Sequence, residues 1–198
     1  MGRKFEDQLV EVPQADLHAL GRLAAYAKGE VAVEIGAWTG HTTVVLASYF
    51  KRVFAVDHWL GSPHDATGEI VQDRGSEEVF RSFCANMGRY FLRSVFPLRG
   101  SSEQWAAVFP RSEASLIFVD ANHDYEAVLA DIKGWLPCLR PGGVMCGHDF
   151  GVFPGVEQAV QEVFKGDFCK IGNSVWVGGE MAQRIKHPGE PIKARRRL

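Results

Sequence analysis

Apolar positions along the 198-residue chain alternate between short continuous runs and longer amphipathic stretches. Leu17, Leu20, Ala24 and Ala27 recur at helical spacing and predict a helix over residues 14–28. Val31–Ile35 is an apolar run without alternation, as a strand buried on both faces should be. His41–Phe50 carries Val45, Leu46 and Tyr49 on one face and predicts a helix, and Arg52–Val56 predicts a second strand. Residues 58–75 are polar and glycine-containing and predict a long loop, which in a compact domain usually marks function or mobility. Val79, Phe80, Phe83 and Met87 predict a helix over Ser76–Tyr90, followed by a strand at Val95–Leu98 and a short helix at Ser102–Phe109. Ser115–Val119 predicts a fourth strand, and Asp124–Leu136 a helix with Val128, Leu129, Ile132 and Trp135 inward. Pro141-Gly142-Gly143 turns the chain into a fifth strand, Val144–Gly147. Val156, Ala159, Val160, Val163 and Phe164 mark another helix, and Phe168–Ile171 with Val175–Val177 form a closing hairpin around Gly172-Asn173-Ser174.

Strands alternating with helices predict an α/β fold: a Rossmann-like, doubly wound, mostly parallel seven-stranded sheet with an antiparallel C-terminal strand. One domain over residues 1–180 is expected, without repeat or linker. A basic, flexible tail over 181–198 follows, ending Lys193-Ala194-Arg195-Arg196-Arg197. A solvated tail is the plain reading, and an arm touching acidic partners the sharper one. Ligands of such sheets bind outside the carboxyl ends of the strands. Glu34, Asp57, Asp120 and His148-Asp149 all fall at predicted strand ends, so residues far apart in sequence converge on one rim.

Composition narrows the class. At 46% hydrophobic and 23% charged, with a formal net charge of -2, the chain reads as a soluble globular protein with nothing that favours nucleic acid. No apolar run approaches the roughly 18 residues that span a bilayer, so no membrane partner is expected. Met1-Gly2-Arg3-Lys4-Phe5-Glu6-Asp7 lacks the apolar core of a signal peptide. Cys84, Cys138, Cys146 and Cys169 are scattered without a CxxC pair, which predicts buried reduced thiols and a cytoplasmic location.

The turn after the first strand carries the chemistry. A dinucleotide site wants GxGxxG so that a pyrophosphate can approach the backbone. Here the segment is Gly36-Ala37-Trp38-Thr39-Gly40, with no central glycine and with Trp38 in the way of a phosphate. Glu34 would repel phosphates and suits a cationic ligand, such as one carrying an ammonium and a sulfonium. Asp57, closing the second strand, can accept hydrogen bonds from both hydroxyls of a ribose.

Glu34-x-Gly36-x-x-x-Gly40, Asp57 after strand two, Asp120 after strand four and Pro141-Gly142-Gly143 before strand five resemble class I S-adenosylmethionine-dependent methyltransferases over about residues 14–178. More narrowly, Asp57-His58-Trp59-Leu60-Gly61, Val119-Asp120-Ala121-Asn122-His123-Asp124-Tyr125 and Gly143-Val144-Met145-Cys146-Gly147-His148-Asp149 are similar to a small-molecule O-methyltransferase subfamily that includes macrolide-sugar and cephamycin-pathway enzymes. That subfamily usually has Asp-Gly-x-His-x-Tyr after strand four, and Ala121 stands here in place of the glycine.

The resemblance implies S-adenosyl-L-methionine as cofactor. Glu34, Gly36, Ala37, Trp38 and Gly40 would lie at its methionine end, Asp57 and His58 at the ribose, Ser101 and Ser102 at the adenine edge, and Asp120 at the floor. It also implies a divalent cation at Asp120, His148 and Asp149. All-oxygen ligation suits magnesium or calcium, and a histidine moves the preference toward manganese, iron or zinc, or leaves the ion weakly held. His148 reads equally as a simple hydrogen-bond partner. Asp120 and His123 are the candidate catalytic residues. His123 could accept the proton of the reacting hydroxyl, or else cap a helix or orient Asp120. The 58–75 loop, with His58, Trp59, His64 and Asp65, reads as a lid, or as a solvated loop anchored by its tryptophan. Outside that loop and the first helix little chain is left to wall an acceptor site, so a homo-oligomer, a dimer, is expected to supply part of it.

The expected function is methyl transfer to a hydroxyl of a small-molecule acceptor, with or without help from the cation. Alternatives are a non-catalytic S-adenosylmethionine-binding domain and a nicotinamide-dependent oxidoreductase. A nucleic-acid methyltransferase is a weaker variant, because no Asn-Pro-Pro-Tyr-like element follows strand four and no RNA-binding module is appended.

Overall fold

The predicted runs pair into a sheet of seven strands: β1 (Val31–Ile35), β2 (Arg52–Asp57), β3 (Val95–Arg99), β4 (Ala114–Val119), β5 (Leu139–Gly147), β6 (Phe168–Ile171) and β7 (Val175–Gly178). The computed structural model describes residues 12–27, 29–62, 66–90 and 92–188. Strand order is β3-β2-β1-β4-β5-β7-β6. The first five pair in parallel, and β7 runs antiparallel to both β5 and β6. The helices are α1 (Gln14–Ala27), α2 (His41–Ala47), α3 (Ala66–Arg74), α4 (Ser76–Met87), α5 (Ser102–Val108), α6 (Tyr125–Trp135), α7 (Pro154–Phe164) and α8 (Glu180–Lys186).

Successive strand residues point to opposite faces, and both faces are covered. Ala32, Val53, Ala55, Leu116, Phe118 and Cys146 pack into one core with Leu20, Leu23, Leu46 and Phe83 of α1, α2 and α4. Val33, Ile35, Val56, Ile117, Val119 and Met145 pack into the other with Val128, Ile132, Trp135, Val156 and Val160 of α6 and α7. That arrangement explains why Val31–Val33 of β1 and Leu116–Val119 of β4 read as apolar runs without alternation. All four cysteines are free; Cys138 and Cys146 are buried, and Cys84 and Cys169 half-buried.

Three boundaries differ from expectation. The predicted 58–75 loop contains α3, whose Ile70 and Val71 pack against the α4 side of the core. With two apolar positions and the buried Gly68, α3 carries too weak a stripe to read as a helix. His64 and Asp65 lie outside the described residues. Pro141-Gly142-Gly143 sits within β5, where the pairing to β4 shifts register between Ala114 and Leu116. Helix α8 runs past residue 180 into the expected tail because Ala182 is buried. The basic residues 193–197 lie outside the described residues.

One buried carboxylate fastens α1 to the far end of the sheet. Asp16 accepts from the Asn173 amide at 2.5 Å, the Ser174 amide at 3.2 Å and the Ser174 hydroxyl at 3.1 Å. It also lies 3.1 Å from His148 Nε2. Burial opposes its charge, but these donors outweigh burial and hold its pKa below the usual range. Asp16→Ala removes a partner from four polar groups at once and is expected to lower unfolding free energy by about 3 kcal/mol in urea titration. A loss below about 1 kcal/mol would show that the clamp contributes little.

Candidate active site

Backbone bonds draw the carboxyl ends of the strands into one rim. Gly36 N donates to Val56 O at 2.9 Å, Asp120 N to Ile35 O at 2.8 Å, His148 N to Val119 O at 3.0 Å, and Gly100 N to Asp57 O at 3.0 Å. Gly36 has φ +88°, and a Cβ there would lie 2.0 Å from Asp120 O. Only glycine allows the turn after β1 to pass against the backbone after β4. Along this rim opens a cavity of about 730 Å³, within the usual small-molecule range of roughly 300–1,000 Å³.

Of the residues expected at the cofactor, Gly36, Ala37, Trp38, Gly40, Asp57 and His58 line one half of the cavity. Ser101, Ser102 and Asp120 line it too. Asp57 accepts from Trp38 N at 2.8 Å through Oδ2 and from Trp59 N at 2.7 Å through Oδ1. Burial raises its pKa, against the pull of these amides. An ionised carboxylate offers about four lone-pair sites, so acceptor capacity is left over for a diol. Trp38 and Trp59 both adopt positive φ, 45° and 55°. Trp59 is buried against Phe80 and Phe83, with centroids at 4.6 and 5.1 Å, and donates from Nε1 to Trp38 O at 2.8 Å. The tryptophan of the expected loop is thus the anchor of the ribose-side turn. Gly61, Ser62 and Thr67 beyond it also line the cavity.

Glu34 departs from expectation. Its side chain is fully buried, takes a hydrogen bond from the Thr43 hydroxyl, and does not line the cavity. Burial pushes its pKa up to about 8, despite Thr42 and Thr43. At neutral pH it is therefore largely protonated, not the anion expected to face a cationic ligand. The β1 strand ends one residue later, so its side chain turns into the core rather than out past the rim.

The other half of the cavity holds an acid–histidine cluster. Asp120, His123 and Asp149 each offer a ligand atom, and these atoms lie within 4.8 Å of one another. His123 Nε2 is 2.9 Å from Asp149 Oδ2, and its ring stacks on Phe153 at 4.0 Å and 5°. Burial pushes Asp120 up to about 6, with His148 opposing. Asp149 sits at φ +65°, a strained conformation that aims its carboxylate at both histidines. Burial would raise its pKa, but the hydrogen bonds to His123 and His148 outweigh burial and lower it.

His148, expected as a ligand, stands beside the group of three converging donors and is not one of them. Its Nε2 is engaged by Asp16 at 3.1 Å and Ser174 Oγ at 3.0 Å, while Nδ1 lies 3.2 Å from Asp149 and 3.7 Å from Asp120. Burial disfavours its charge, yet Asp149, Asp120 and Asp16 together raise its pKa to about 9. It lies among three carboxylates, and the group of donors that could hold an ion contains His123 with Asp120 and Asp149.

Sequence reading missed Asp16, Asp131, Phe153 and Ser174. Asp131 had a visible signal: it stands between Val128 and Trp135 on the inward face of α6, where a carboxylate is out of place. Burial pushes it up to about 6, eased by the Ser102 hydroxyl. Asp16 carried no such signal, since its partners come from the hairpin turn more than 150 residues away.

A profile of the methyltransferase-domain family matches residues 33–150, from within β1 to just past the His148-Asp149 pair. The chain belongs to this methyltransferase-domain family. The uncharacterized protein y4gI of Sinorhizobium fredii (strain NBRC 101917 / NGR234) is 28% identical over 123 residues, covering 59% of this chain and 13% of that protein. The chain thus spans about an eighth of the length of that curated relative. The O-methyltransferase NovP superposes with a TM-score of 0.65 at 19% identity, over 83% of this chain and 78% of NovP. CalS11, a calicheamicin methyltransferase, superposes with a TM-score of 0.60 at 19% identity, over 83% of this chain and 79% of CalS11. The methyltransferase domain therefore has the class I, S-adenosylmethionine-dependent methyltransferase fold. Among the described residues, no helix is long and apolar enough to cross a membrane.

The buried Glu34 sets a pH dependence. Its folded pKa is raised from 4.5 to about 8, so the folded state holds a proton that the unfolded chain releases. Its stabilising proton is fully present below about 4.5 and is lost as pH rises, by up to about 1.4 kcal/mol per pH unit until about 8. Glu34→Gln is expected to flatten that decline between pH 5 and 8 in urea titrations (roughly the window of the shift). Parallel curves for the two proteins would contradict it.

Proposed function

We propose that this domain transfers a methyl group from S-adenosylmethionine to a hydroxyl of a small molecule. The observation that carries this reading is the single cavity joining the Gly36–Gly40 turn and Asp57 to the Asp120–His123–Asp149 cluster. The residues fit the cofactor. The turn residues Gly36, Ala37, Trp38 and Gly40 line the cavity, and Asp57 keeps acceptor capacity for a ribose diol. In this reading Trp38 and Gly40 shape the methionine end, Asp57 with His58 holds the ribose, and Ser101 and Ser102 border the base. S-adenosylmethionine supplies an electrophilic methyl group.

What the chain does is align and deprotonate the acceptor. Methyl transfer is a direct displacement, so positioning supplies much of the acceleration. His123 takes the proton of the acceptor hydroxyl, and Asp149, 2.9 Å away, orients the ring and stabilises the imidazolium that forms. Phe153 fixes the ring plane from one side. Asp120 closes the floor between the two halves. NovP and CalS11 are O-methyltransferase and methyltransferase by name, which supports the same chemistry here.

A second reading is favoured by the three converging donors. Asp120, His123 and Asp149 fit one divalent ion, which would lower the pKa of the acceptor hydroxyl and orient it. With one imidazole among the donors, manganese suits the set better than magnesium. Ligation and proton abstraction compete for the same ring, so the readings are separable.

Calorimetry is expected to give S-adenosylhomocysteine binding at micromolar affinity, on the order of 8 kcal/mol, with Asp57→Ala weakening it at least about tenfold through the lost diol contact. No binding by the wild type would overturn the cofactor reading. For the second half of the site, His123→Ala is expected to cut kcat by about a hundredfold or more with cofactor affinity unchanged, and activity is expected to survive EDTA. Loss in EDTA with recovery in manganese would assign the three side chains to ligation and leave methyl transfer standing.

A further inference from the structure

Two carboxylates and two histidines alternate in a row that runs from the core to the cavity. Asp16 Oδ2 lies 3.1 Å from His148 Nε2, His148 Nδ1 lies 3.2 Å from Asp149 Oδ1, and Asp149 Oδ2 lies 2.9 Å from His123 Nε2. Ser174 Oγ braces the first link, 3.1 Å from Asp16 Oδ2 and 3.0 Å from His148 Nε2. Side-chain exposure rises along the row, from 0% at Asp16 through 10% at His148 and 16% at Asp149 to 23% at His123. The last three line the cavity and Asp16 does not. An ionised carboxylate only accepts, so both nitrogens of His148 donate, and so does His123 Nε2. His148 and Asp149 are thus each held at both polar ends.

Asp16 reaches Asp149 by a second route. Its Oδ1 holds the Asn173 and Ser174 amides at 2.5 and 3.2 Å, and Ser174 O accepts from Phe150 N at 2.9 Å. Phe150 follows Asp149, whose backbone sits in the left-handed region at φ +65°. A residue other than glycine keeps that conformation only where its surroundings over-determine it. Side chain and backbone of Asp149 are therefore both fixed from Asp16. Fastening α1 to the hairpin does not by itself call for a buried charge, since well-packed apolar residues of similar volume often serve as well. Asp16, Asn173 and Ser174 also lie outside residues 33–150, the span of the family profile.

We infer that Asp16 is a positioning residue for His123, acting through His148 and Asp149 to keep Nε2 of the His123 ring turned to Asp149. This inference rests on the reading of His123 as the group that takes the acceptor's proton. A base held in one rotamer and one tautomer meets the acceptor hydroxyl in one orientation, with no rotation to make at each turnover.

The test follows the His123 ring by NMR in the full chain with isotope-labelled histidine nitrogens, its signals assigned by their loss in His123→Ala, with S-adenosylhomocysteine calorimetry alongside. Asp16→Asn keeps an oxygen for the Asn173 and Ser174 amides but sets an NH2 group against the donating His148 Nε2. In wild type the two nitrogen signals of the neutral His123 ring are expected far apart, as one fixed tautomer gives. In Asp16→Asn they are expected to move toward each other, as mixed tautomers give, with S-adenosylhomocysteine affinity within about twofold of wild type. His148→Phe is expected to do the same, and the double variant no more than His148→Phe alone, because the residues act in series. Leu23→Ala loosens α1 in the core without touching the row and is expected to leave the His123 signals in place. Thermal melts check folding, and Asp16→Ser replaces the amide variant if that one does not fold. Unchanged His123 signals in the folded Asp16 variant, an equal change in Leu23→Ala, or a further change in the double variant would each overturn the positioning role and leave the cofactor reading standing. Wild type that binds no S-adenosylhomocysteine would overturn both.

Discussion

The site depends on one backbone contact, the pass of the β1 turn against the chain that leaves β4. Gly36 lies so near the Asp120 carbonyl that a methyl group there would sit 2.0 Å from its oxygen. That approach, with the Gly36–Val56 and Asp120–Ile35 hydrogen bonds, fixes three strand ends side by side. The same device recurs one strand further on, where a Cβ on Gly147 would meet Val119 O at 2.3 Å and the Trp176 ring at 2.5 Å. Two glycines therefore set how closely Asp57, Asp120 and His148-Asp149 gather. A side chain at Gly36 would push the rim apart through the Asp120 backbone, and one at Gly147 through Val119 and Trp176.

Electrostatics divide the cavity built on that rim. Toward the β1 and β2 ends, Glu34 is buried and mostly protonated at neutral pH, and Asp57 is the carboxylate that faces the space. Toward the β5 end, three carboxylates and two histidines share a small volume. His148, raised to about 9 and held by Asp16, Asp149 and Asp120, offsets part of the negative charge there. Asp16 makes this possible from α1, so the first helix belongs to the electrostatics of the site as much as to the core.

The sheet was legible because strand segments buried on both faces are apolar runs, and Val31–Val33, Val53–Val56, Leu116–Val119 and Val144–Cys146 are such runs. The rim followed, since strand ends in this topology converge whatever the loops do. Side-chain direction was not legible. Nothing in the local sequence tells that Glu34 turns inward, or that His148 reaches back to Asp16 while His123 swings to Asp149. Those choices are made by contacts across the chain. Helix α3 escaped for a different reason: two apolar residues and a glycine make no stripe, and its order comes from packing on α4. Asp131 was the avoidable miss, a carboxylate on an apolar helix face.

The central claim is that one cavity holds a nucleoside at Asp57 and presents its reactive end to the Asp120–His123 side. A crystal structure of the chain with S-adenosylhomocysteine tests it most directly. The account predicts both ribose hydroxyls within hydrogen-bond distance of the Asp57 carboxylate and the sulfur turned toward Asp120 and His123. A nucleoside lying away from Asp57, or one with its sulfur turned from that cluster, would contradict it.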